Sequence, residues 1–331
     1  MTTRVRIQRR PIHGVLLLDK PLGYSSNDAL QKVKWLLRAE KAGHTGTLDP
    51  LATGALPLCF GAATKFSQLH LDADKTYEAV ALLGVTTTTG DAEGEVLAEL
   101  PVPDITAERL AELTRRYSGP IQQVPPMYSA LKKDGKALYE YARDGIEIDR
   151  PARDVVIHDL KLSLERDEQG RPQLRIQVCC SKGTYIRTLG EDLGKALGCG
   201  AHLVFLRRVK TGDFGVEQAV TLAELEAMDE NTRLARLLPV EALLGHHEIV
   251  TLGADDAGRF LSGMRRRIQS SDAPRVQVWG EPPRALLGSA HIRGGELIPT
   301  RLLSPIEVGQ IQAQQSAGAA VPPVVIADGQ P

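Results

Sequence analysis

Apolar and polar residues alternate between short buried runs and helical stripes. HGVLLLDKPLG (13–23) predicts a short buried strand, because its apolar run is too short for a helix. The strand ends in a turn at Lys20-Pro21-Leu22-Gly23, where Pro fixes φ and Gly permits a tight bend. Leu30, Val33, Leu36 and Leu37 recur at helical spacing and predict a helix over 27–38, capped by Ser25, Ser26 or Asn27. Residues 42–66 hold four glycines and two prolines among mostly small apolar residues, which predicts a loop-rich, close-packed segment. Lys75 begins a strand, and Ile105, Leu110, Leu113 and Tyr117 form one face of a helix over 105–119. Strands are expected at 155–164 and 172–180, then a helix from about Tyr185 to Gly198 and strands at 203–209 and 212–216. Short strands with glycine turns over 249–305 predict a small β-rich domain. The Gln-, Ala- and Pro-biased end, from 308 onward, predicts a disordered tail.

The length of 331 residues fits one large and one small domain. Forty Lys and Arg against 41 Asp and Glu give a formal net charge of -1, which excludes a blanket of positive charge but not a local basic face. Residues 1–44 carry nine basic and three acidic side chains, a balance of +6. Further basic groups are Lys132, Lys133 and Lys136, then Arg207, Arg208 and Lys210, then Arg265, Arg266 and Arg267. They fit phosphate contacts or ordinary solvated surface. Aromatics at 4% argue against a broad single-strand stacking platform, so structured RNA suits the chain better. The four cysteines have neither disulfide-framework nor zinc spacing. No apolar run reaches the roughly 18 residues of a membrane span, and no secretory signal is expected. No phosphate-loop or dinucleotide fingerprint occurs, so nucleotide hydrolysis and hydride transfer lack their usual apparatus.

Asp49, in HTGTLDP, is a carboxylate that a rigid glycine-rich loop could present as nucleophile or base, or an Asp forming a turn before Pro50. His44 could meet phosphate or substrate, or satisfy the loop. Tyr77 could stack on a base, or fill an ordinary half-buried strand position. Arg187, in KGTYIRT, could hold a carboxylate ionised, grip a phosphate, or pair with Glu191 on a helix surface. Tyr185 could line the same site or pack in the core. Lys20 could contact phosphate or cap a neighbouring element.

GVLLLDKPLGYSSNDALQKVK, AGHTGTLDPLATGALPLCFGAATKF, KTYEA, TTTTGDAEG, PPMYSALKKDGKALYEYAR and CSKGTYIRTLGEDLG, in this order and spacing, closely resemble the bacterial tRNA pseudouridine synthase B family over about residues 12–245. The resemblance implies an α+β fold: a mixed, largely antiparallel sheet with flanking helices over 10–248, and an RNA-gripping insertion near 120–150. It also implies a C-terminal PUA-like RNA-binding domain over 249–307. The implied activity is isomerisation of uridine 55 in the tRNA T loop, on an extruded base, without cofactor or metal. The implied catalytic residues are Asp49, Tyr77 as the base-stacking ring, and Arg187 as the partner of Asp49, lowering its proton affinity. Lys20, His44, Tyr185, Lys132 and Lys133 are the implied substrate-binding residues. The expected setting is a cytoplasmic monomer that binds the tRNA T stem-loop, with no membrane and no obligate protein partner. A noncatalytic RNA-binding module or RNA chaperone is the competing reading.

Overall fold

The computed structural model describes residues 8–245, 247–281 and 283–316. Eight strands make the path of the main sheet: β1 (Gly14–Lys20), β2 (Ala52–Phe60), β3 (Lys75–Leu83), β4 (Gly119–Gln123), β5 (Arg153–Arg166), β6 (Pro172–Cys180), β7 (Ala201–Thr211) and β8 (Val220–Thr221). Their spatial order is β8-β1-β2-β7-β3-β6-β5-β4. The β1–β8 and β2–β7 pairs are parallel and the others antiparallel, so the sheet is mixed and largely antiparallel, as expected.

The continuous apolar run of β1 has a direct cause. Successive side chains of a strand point to opposite faces, and both faces are covered. Leu16 and Leu18 enter a core with Leu56, Leu58, Ala79, Ile176 and Leu189. Val15 and Leu17 enter a second core with Phe66, Phe214 and Leu243. Over the first core lie α1 (Ser26–Leu36) and a helix α2 (Ile186–Leu197), which turns Leu189, Leu193 and Leu197 inward. Ser25 caps α1 by accepting from the Asp28 backbone N–H at 3.1 Å.

Residues 42–66 depart from the loop-rich expectation. Ala42–His44 and the nine-residue β2 are strands, and seven of the last eight residues of β2 are buried. Gly54 makes this possible. Its φ is +103°, and a Cβ there would lie 2.2 Å from the Arg208 carbonyl oxygen, so only glycine lets β2 run this close to β7.

The C-terminal part forms a five-stranded sheet from Glu248–Gly253, Arg266–Arg267, Ala273–Glu281, Ala285–Arg293 and Glu296–Leu302. It closes on its own core around Phe260, Val276, Val278 and Leu297. The disordered tail expected from 308 is corrected in part. Pro305–Ser316 is a helix, α3, which buries Ile311 beside Leu286 and Leu303 in the second core. Val308 and Ile311, three residues apart on one helix face, pack on that core, which outweighs the Gln-rich composition, while Ile306 stays exposed. Residues 317–331 of that expected tail lie outside the described residues, as do residues 1–7 of the basic N-terminal stretch.

Candidate active site

Asp49 sits on the turn between the Ala42–His44 strand and β2. That turn is held from outside itself. Ser26 Oγ accepts from the Leu48 backbone N–H at 2.7 Å and donates to the Leu48 carbonyl at 3.0 Å. The Gly23 N–H donates to the Pro50 carbonyl at 2.9 Å, and the Thr45 N–H to the Pro57 carbonyl at 3.1 Å. The turn itself closes through the Asp49 backbone carbonyl, which accepts from the Ala52 N–H at 3.0 Å. The Asp49 side chain thereby keeps 38% of its surface open toward the adjoining cavities, while the surrounding protein still takes much of the carboxyl group out of water.

Arg187 meets it there. The guanidinium is 5% exposed and projects from the first turn of α2. Nη2 lies 2.9 Å from Asp49 Oδ2 and donates to the Tyr128 carbonyl at 2.7 Å. Nη1 lies 3.4 Å from Asp91 Oδ2 and donates to the Thr89 carbonyl at 3.0 Å. The surface pair with Glu191 is thus displaced by an inward network. Sequence reading missed Asp91, although it lies in the quoted TTTTGDAEG stretch. Asp91 is buried, and its Oδ1 accepts from Thr89 Oγ1 and from the Glu93 N–H.

Arg187 lowers the proton affinity of Asp49, as expected, but it does not act alone. Arg187 does pull in that direction, but burial outweighs it and the Asp91 charge adds to burial, so the Asp49 carboxyl stands above the ordinary aspartate range. Glu93 is raised as well, by burial first and then by Asp91 and Asp49.

Two cavities meet at this carboxylate. One, of about 570 Å³, is lined by Tyr77, Lys75, Tyr185, Leu206 and Arg208. The other, of about 450 Å³, is lined by His44, Asn27, Glu93, Tyr139 and Arg143. Thr47, Leu48, Asp49, Ser129, Ala130 and Arg187 line both. Tyr77 is 9% exposed, and burial raises its phenol while the neighbouring Arg208 guanidinium pulls it down. Tyr185 caps α2 through its backbone. The buried Gln123 amide donates to the Tyr185 carbonyl at 3.1 Å and accepts from the Tyr185 N–H at 2.9 Å. This clamp at the end of β4 fixes the helix start that carries Arg187, and no sequence signal pointed to it. His44 is driven toward the neutral form by burial and by Arg208, and its Nδ1 is buried without a partner.

The structure sorts the basic groups that the sequence singled out. Lys20 is 0% exposed, and its ammonium donates to the carbonyls of Pro21, Tyr24 and Pro50. It is enclosed beneath the Asp49 turn and lines neither cavity, and of the two readings the sequence left open, these bonds are those of a cap that supports the loops around Asp49. Arg208 is 1% exposed and donates to the Ala55 carbonyl at 2.7 Å, which removes it from the surface cluster. Arg207 is joined to Asp19 by two hydrogen bonds. Lys132 and Lys133 are exposed in a two-residue strand paired with Lys136–Ala137, and neither lines either cavity. Among the described residues, no group of three or more His, Cys, Asp or Glu side chains is placed to hold a metal ion. No described helix is long and apolar enough to cross a membrane.

Comparison with known proteins gives this geometry its context. Residues 34–186 match the N-terminal domain of the TruB family pseudouridylate synthases, and residues 187–245 match the tRNA pseudouridylate synthase B C-terminal domain. The tRNA pseudouridine synthase B of Verminephrobacter eiseniae is 62% identical over 315 residues, covering 95% of this chain and 95% of that protein. The protein of the same name from Ralstonia nicotianae is 59% identical over 300 residues, covering 89% of this chain and 95% of that one. Among solved structures, a chain of a Cbf5-Nop10-Gar1 complex superposes with a TM-score of 0.66 at 24% identity, covering 91% of this chain and 87% of that one. That likeness supports the fold alone. The two matched domains and the high identity across nearly the whole chain show that it belongs to the TruB family of pseudouridylate synthases.

Proposed function

We propose that this chain converts uridine 55 of the tRNA T loop to pseudouridine, a specific case of the tRNA uridine isomerisation that its family performs. The observation that carries the reading is the Asp49 carboxylate, held 2.9 Å from Arg187 at the wall of a cavity that also contains Tyr77. Uracil leaves its stack and enters that cavity, where the Tyr77 ring supplies a stacking face. Asp49 meets the junction of sugar and base. The N1–C1′ bond breaks, the uracil turns without leaving, and C5 bonds to C1′. C5 gives up a proton and N1 takes one up, so the mass is unchanged. Enclosure keeps the freed base from escaping before reattachment. Arg187 orients the carboxylate and offsets part of the burial that favours its protonated form. His44, in the adjoining cavity, receives the opened loop, and the exposed Lys132–Lys133 hairpin supplies charge to the RNA backbone.

We read residues 10–248 as the catalytic domain, with the RNA-gripping insertion near 120–150, and 249–307 as a PUA-like RNA-binding domain. The separate core around Phe260 and Val276 supports that division. We further propose that the chain acts in the cytoplasm as a monomer without an obligate protein partner. The test is incubation with an unmodified T stem-loop and site-resolved detection of the pseudouridine-specific chemical adduct. Asp49→Asn is expected to abolish the adduct while leaving RNA affinity within about threefold, as for loss of a group whose role is confined to the reacting centre. Normal turnover by that variant would remove Asp49 from the chemistry. RNA binding without product from the parent would favour the RNA-chaperone reading.

A further inference from the structure

Asp72 stands between two cations that come from different parts of the fold. It follows the short helix Ser67–Leu71, on the catalytic side. Lys182, on the turn between β6 and α2, donates to Asp72 Oδ1 at 2.7 Å. Arg275, on the C-terminal strand Ala273–Glu281, brings Nη2 to 3.8 Å from Asp72 Oδ2. Each oxygen of one carboxylate therefore faces one cation. The Lys182 hydrogen bond, above all, holds the Asp72 carboxyl below the ordinary aspartate range, and the Arg275 charge adds to it. Asp74, the next acid along the chain, faces His158 at 3.2 Å instead. Two positive groups thus share one negative charge, and the trio keeps a positive excess.

All three side chains are open to water, Lys182 at 62%, Arg275 at 47% and Asp72 at 35%. Exposed pairs of this kind contribute little to stability, so exchanging the carboxylate for another anion costs little. The place of the trio selects the anion. Lys182, Gly183 and Thr184 line the Tyr77 cavity, as does Leu71, the residue before Asp72. A nucleotide whose base enters that cavity keeps its backbone outside it, so its phosphates reach the rim. A phosphodiester offers two unesterified oxygens on one atom, as a carboxylate does, and can bridge the same two cations. We propose that a backbone phosphate of the RNA, next to the target uridine, binds between Lys182 and Arg275 in place of Asp72 and so ties the catalytic cavity to the C-terminal domain. The proposal rests on the function assigned above. In the free protein Asp72 holds the two cations in position, and it competes with the RNA for them.

The test measures binding of an unmodified T stem-loop to the full chain over a range of salt concentrations. The proteins are the parent, Lys182→Gln, Arg275→Gln, the double variant and Asp72→Asn, and product formation is measured for the parent. Lys182→Gln and Arg275→Gln should each weaken binding at low salt by about fivefold, the upper end for an exposed ion pair. The double variant should make the slope of log affinity against log salt shallower by about 0.7–0.9, the increment for one phosphate. Asp72→Asn should act in the opposite direction and tighten binding about threefold, because both cations are released to the RNA. That reversal separates a phosphate site from a purely structural bridge, where loss of any of the three groups weakens binding or leaves it unchanged. Partial unfolding cannot imitate it. An unchanged slope in the double variant, or Asp72→Asn binding no tighter than the parent, overturns the phosphate contact, while product formation by the parent leaves the assigned function standing. A parent that binds the RNA but makes no pseudouridine overturns the function and the contact together.

Discussion

Removing the Arg187 guanidinium should expose how much charge the site conceals. Arg187→Met leaves Asp49 and Asp91 without their shared cation. The two acids are unequal in this respect, because the Asp49 side chain is 38% exposed and that of Asp91 only 3%. Water reaches part of the first and almost none of the second, so the larger uncompensated cost falls at Asp91. Unit charges 3.4 Å apart attract by roughly 5 kcal/mol at an effective dielectric near 20. Breaking a buried pair from one side costs about 3–5 kcal/mol in practice. Arg187→Met should therefore lose about that much unfolding free energy at neutral pH. Asp91→Asn in the same background should recover part of it, because the amide needs no counter-ion. Urea denaturation followed by the fluorescence of Trp35 and Trp279 measures the four corners of the cycle. A loss below about 1 kcal/mol, the level of an exposed pair, would refute the argument, as would a double variant no more stable than Arg187→Met alone.

The raised Asp49 carboxyl predicts that the acid limb of the kcat/KM profile lies above the ordinary aspartate range, since activity needs the ionised form and loses it as pH falls through the raised value. Asp91→Asn removes a charge that pushes Asp49 upward, so the limb should move to lower pH; a limb that stays put or moves upward would contradict the assignment. Burial lowers Lys20 from 10.5 to about 8, a difference of roughly 3 kcal/mol between its charged and neutral forms. Between those values the unfolded chain binds the extra proton, so Lys20 makes stability rise with pH; Lys20→Met should flatten that slope in urea titrations from about pH 8 to 10, leaving the contribution of Lys75, which is lowered to about 8 by burial as well.

Much of the scaffold was legible because its signals are local. The strand at β1, the helix α1 and the helix carrying Arg187 each follow from spacing within a dozen residues. β2 escaped because its glycine and proline resemble loop punctuation, whereas Gly54 answers to the distant backbone of Arg208, whose Nε donates to the Ala55 carbonyl across 153 residues. The family resemblance named Asp49, Tyr77 and Arg187 together, and the structure brings all three to one cavity. Arg208 was misjudged, and Lys20 left undecided, for one reason: a count of charges along the chain carries no information about which are enclosed. Their ammonium and guanidinium groups are satisfied by carbonyls from other elements, a condition met only after folding. Gln123 was invisible because a single amide that bonds one residue on both sides leaves no periodicity and no motif.

The helix at 305–316 has a consequence for how the protein is made. The side-chain amide of Gln314 bonds both backbone groups of His13, donating to its carbonyl at 2.8 Å and accepting from its N–H at 3.0 Å, across 301 residues. The His13 ring accepts from the Ala62 N–H through Nδ1 and meets Gln310 through Nε2. During vectorial synthesis the residue that leads into the first strand must wait until the 301-residue stretch up to Gln314 has emerged before its partner exists. Closure over so long a separation is entropically slow, so a ribosome-bound nascent chain holds this seam open until the helix at 305–316 has been made.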